Sequence, residues 1–87
     1  MRVGRRLTDR EAYEVEIDHA GAVLKGLVPE ALMEAARPGA PRHTPAYHWL
    51  AKNRQKIEAA MIERAQGHTP RAPFDMIELS GRTTHAH

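Results

Sequence analysis

The six prolines of this 87-residue chain stand at 29, 38, 41, 45, 70 and 73, and they limit where regular structure can form. Proline fixes φ and has no N–H to donate, so it suits the start of a helix and breaks one from inside. Two long stretches escape it, 1–28 and 46–69. In the first, Tyr13, Val15 and Ile17 alternate with Glu14 and Glu16, the pattern of a half-buried strand. Asp18, His19, Ala20 and Gly21 supply turn residues, and 22–28 then reads as the returning strand of a hairpin. Gly26 inside that strand predicts a bulge or a close backbone approach.

Pro29 suits the first position of a short helix, with Glu30 near the positive end of its dipole. Leu32, Met33 and Ala36 give it a small apolar face, and Pro38 with Gly39 stops it. Residues 38–45 form an irregular connection. Thr44 as N-cap and Pro45 at the first helical position then predict the longest helix, 45–66, closed by Gly67. Tyr47, Leu50, Ile57 and Met61 recur at helical spacing as a buried stripe. Arg54 interrupts the stripe, and an i,i+4 pairing with Glu58 holds its head at the edge. Trp49 sits roughly 100° around the helix from Leu50. It must therefore be covered by a loop, by the first helix or by another chain.

Phe74–Leu79 reads as a last strand, bounded by Ser80 and Gly81. The order β-β-α-α-β predicts an α+β fold: a small antiparallel sheet, the hairpin plus the C-terminal strand, with one short and one long helix on one face. Residues 1–11 read as a basic N-terminal arm, 12–80 as a single domain, and 81–87 as a disordered tail without an apolar anchor.

Function classes fall away on composition. The chain has no cysteine, so no disulfide framework, thiolate nucleophile or cysteine-ligated metal is expected. Its apolar runs are far shorter than the roughly 20 residues a membrane-spanning helix needs. The basic N-terminus has no apolar segment behind it, so a secretory signal is not expected and a cytoplasmic setting is. His43 and His48 lie five apart and do not share a helix face, while His85 and His87 fall in the tail; neither a metal nor another cofactor is predicted. No phosphate-binding glycine loop, nucleophile elbow or catalytic carboxylate pair is present, and so small a core hardly forms a catalytic cleft. A non-catalytic protein is the expectation.

Charge is more informative. The formal net charge of +2 divides into blocks of +3 over 1–10, −5 over 11–34, +5 over 35–57, −2 over 58–80 and +1 in the tail. Residues 35–57 contain no acid. Arg37, Arg42, His43, Lys52, Arg54 and Lys56 are therefore candidates for an anion- or nucleic-acid-facing surface, unless the acidic hairpin faces the basic helix and cancels it. Tyr47, Trp49, Asn53 and Arg54 are candidates for a protein interface, where tryptophan, tyrosine and arginine are enriched.

Three stretches carry a family resemblance: Glu30-Ala31-Leu32 opening the first helix, Asn53-Arg54 with Ile57-Glu58 on the second, and the 74–79 strand. Over about 12–80 the chain resembles a bacterial family of short stand-alone proteins, the domain-of-unknown-function family numbered 1488. The resemblance implies the fold and no activity. The functional expectation is a protein-interaction or self-associating module, a homodimer among its forms, acting through the long-helix surface. The alternatives are a nucleic-acid-binding module built on 35–57 and a phage- or plasmid-encoded inhibitor of a host complex.

Overall fold

The computed structural model of the protein describes residues 1–36 and 46–84. Four antiparallel strands form one sheet in sequence order: β1 (Arg2–Leu7), β2 (Ala12–His19), β3 (Ala22–Pro29) and β4 (Glu78–Thr84). Between β3 and β4 the chain makes α1 (Glu30–Ala36), α2 (Ala46–Lys52) and α3 (Arg54–Ala65). The α+β class and the hairpin with a returning C-terminal strand stand as the sequence predicts.

The β2–β3 register runs from Ala12↔Pro29 to His19↔Ala22. The two turn residues, Ala20 and Gly21, have φ of +50° and +76°. That is the sense of twist a tight hairpin requires. Pro29 closes β3 rather than opening α1, and the Glu30 N–H donates to the Glu11 carbonyl at 2.9 Å. Proline is tolerated there because the strand ends with it.

The basic arm is part of the sheet. Arg2–Leu7 pairs with β2, and Val3 packs against the core from this edge. Its register shifts between Val3 and Arg6, a bulge that places Gly4 over Glu14. The other end of the domain is also longer than expected. Phe74–Met76 is a single 3₁₀ turn, and the strand begins four residues later and runs through Thr84. Polar residues take this strand because its backbone completes the ladder of β3, with Ala22↔Thr84 and Leu24↔Arg82 paired. The expected tail is thus strand from Gly81 to Thr84, and 85–87 lie outside the described residues.

One break divides the expected long helix. At Asn53 the backbone leaves helical geometry (φ −102°, ψ 15°), and both its N–H and its Nδ2 donate to the Trp49 carbonyl at 3.0 Å. The amide side chain thereby closes α2, and the Asn53 carbonyl accepts from Ile57 to start α3. The break resets the helical phase, which corrects the stripe. Leu50, Ile57 and Met61 are buried as predicted, but Trp49 takes the inward position on α2 and Tyr47 is 54% exposed. Tyr47 instead meets Tyr13 edge-to-face, with ring centroids 5.7 Å apart. At its far end α3 closes as expected on Gly67 (φ +81°), with His68 N–H donating to the Glu63 carbonyl and Gly67 N–H to the Arg64 carbonyl.

Val15, Ile17, Leu24 and Val28 from the sheet, Leu32 from α1, and Leu50, Ile57 and Met61 from the helices are at most 2% exposed and pack as one cluster. Gly26 belongs to this contact. A Cβ there would stand 2.9 Å from the Met61 methyl and 3.3 Å from the Glu78 carbonyl oxygen, and the β3–β4 register shifts at the same point. Both readings of Gly26, bulge and close approach, hold.

Gly26→Ala is expected to destabilise the fold by about 1–3 kcal/mol through overpacking. Ile57→Ala should cost about 2–4 kcal/mol through the cavity it leaves. Urea denaturation measures both. Surface-like effects at the two positions would show the helix faces to be wrongly assigned.

Candidate functional site

The distribution of neutralised charge locates the candidate surface. On the outer face of the hairpin, Arg2 donates to Asp18 through both terminal nitrogens, at 2.9 and 3.3 Å, and through Nε to Glu16 at 3.4 Å. Lys25 approaches the same Glu16 at 3.7 Å. Arg6 pairs with Glu30. Hydrogen bonding to Asp18 raises the affinity of the Arg2 guanidinium for its proton above the ordinary value, and hydrogen bonding to Glu30 does the same for Arg6. Glu16 and Asp18 of the acidic hairpin are therefore matched by Arg2 of the arm and by Lys25 of the hairpin itself, and not by the basic helix.

That leaves the helices. Arg54 pairs with Glu58 at 3.4 Å, as the i,i+4 spacing predicts, and the chain's amino terminus reaches the same carboxylate at 3.9 Å. Lys52 and Lys56 are exposed, one turn apart across the Asn53 break, and have no carboxylate partner among the described residues. Both line a pocket of about 300 Å³ between the α2–α3 junction and the 74–76 turn. Trp49 and Asn53 line it from the helices, and Pro73 and Phe74 from the turn. Lys56 Nζ lies 6.0 Å from the centre of the Phe74 ring, within cation–π range.

Trp49 is corrected from an interface residue to a core residue. It is only 5% exposed within the single chain and belongs to the central cluster, so no second chain is needed to cover it. The indole N–H, however, is buried with no acceptor among the described residues. An unpaired buried donor costs about 1–3 kcal/mol. Of the candidate interface set, Tyr47 and Arg54 are exposed, while Asn53 is half-buried and bound to Trp49. Arg37, Arg42 and His43 lie outside the described residues.

Two residues that carry this site were not singled out from the sequence. Phe74, expected in a strand, lies in the turn facing Lys56 because the strand starts later. Arg64 holds that turn in place: its Nε donates to the Ile77 carbonyl at 3.2 Å and its Nη2 to the Asp75 carbonyl. An arginine in the last turn of a helix can serve many ends, and spacing alone does not reveal this one.

The sealed indole N–H yields a pair of expected outcomes, measured by urea denaturation. Trp49→Ala should cost about 3–5 kcal/mol through lost packing. Trp49→Phe should cost less than about 1 kcal/mol, because losing the donor without an acceptor offsets much of the lost ring area.

Compared with family models, with curated proteins and with solved structures, the chain matches none of them, so the reading of this surface stands on its geometry.

Proposed function

We propose that the protein is a non-catalytic binding module whose α2–α3 surface takes an anionic partner, the backbone of nucleic acid. One observation carries this reading. Glu16, Asp18 and Glu30 of the acidic block are taken up by Arg2, Arg6 and Lys25, whereas Lys52 and Lys56, which line one pocket, keep their charge without a carboxylate among the described residues. Two cations one turn apart attract phosphate chains without reading sequence. The reading places the module in the cytoplasm and keeps the resemblance to the family numbered 1488 as its fold relationship. An inhibitor of a host complex is one role such a module can fill.

A second reading has its own support. Tyr47 is a large aromatic, more than half exposed, standing on the same helix pair as Arg54. That favours a protein interface, with a second copy as the first partner to examine.

A salt series with random duplex DNA tests the first reading. Affinity should fall steeply with salt, and Lys52→Gln and Lys56→Gln should each lower the log–log slope by roughly 1. No binding at about 50 mM salt removes it. Light scattering during size exclusion tests the second: a dimer that Tyr47→Ser converts to a monomer supports it, and a strict monomer at tens of micromolar ends self-association.

A further inference from the structure

We draw no further inference here: the strongest candidate, the hollow on the outer face of the sheet lined by Arg10, Ala12, Leu27, Pro29, Met76 and Glu78, carries nothing, since nothing in the structure shows what covers it.

Discussion

Helix α3 rests on the sheet where Met61 lies over Gly26, and much of the architecture is arranged around that contact. The missing Cβ lets the thioether settle against the β3 backbone, and the neighbouring register shift turns β4 to meet it. Arg64, one turn further along α3, then binds the carbonyls of Asp75 and Ile77 and fixes the approach to β4. The 74–76 turn is held in the same stroke, and Phe74 with it. One absent methyl group thus sets the seat of the helix, and through it the far wall of the pocket.

Charge is arranged on a similar economy of place. The sheet's outer face carries a cross-strand ladder of Arg2, Asp18, Glu16 and Lys25. Exposed pairs of this kind contribute little to stability, typically under about 1 kcal/mol each. Their larger effect is to satisfy the acids locally, at a distance from α2 and α3. Lys52 and Lys56, which lie in the acid-free stretch 35–57, have no carboxylate partner among the described residues.

Local chemistry made much of the fold legible. The β2 alternation, the closure of α3 on Gly67 and the Arg54–Glu58 pair all follow from residues at most a few positions apart. What escaped prediction depends on distant partners. The strand character of Arg2–Leu7 rests on pairing with β2, and that of Gly81–Thr84 on the open edge of β3. The inward turn of Trp49 rests on the Asn53 break, which a continuous helical period conceals. The candidate site was half readable for the same reason. Lys52 and Lys56 stand out in an acid-free block, but nothing along the chain indicates that Phe74 crosses over to them.

The bulge in β1 has a consequence beyond its own geometry. An open four-stranded sheet offers two outer edges, and an edge with an even row of free N–H and C=O groups invites strands from other molecules to add on. In β1 that row is broken between Val3 and Arg6, and the stretch carries Arg2, Arg5 and Arg6. A strand arriving there meets a mismatched ladder and a line of positive charge. The same residues that bind the arm to the hairpin make this edge a poor template for an added strand.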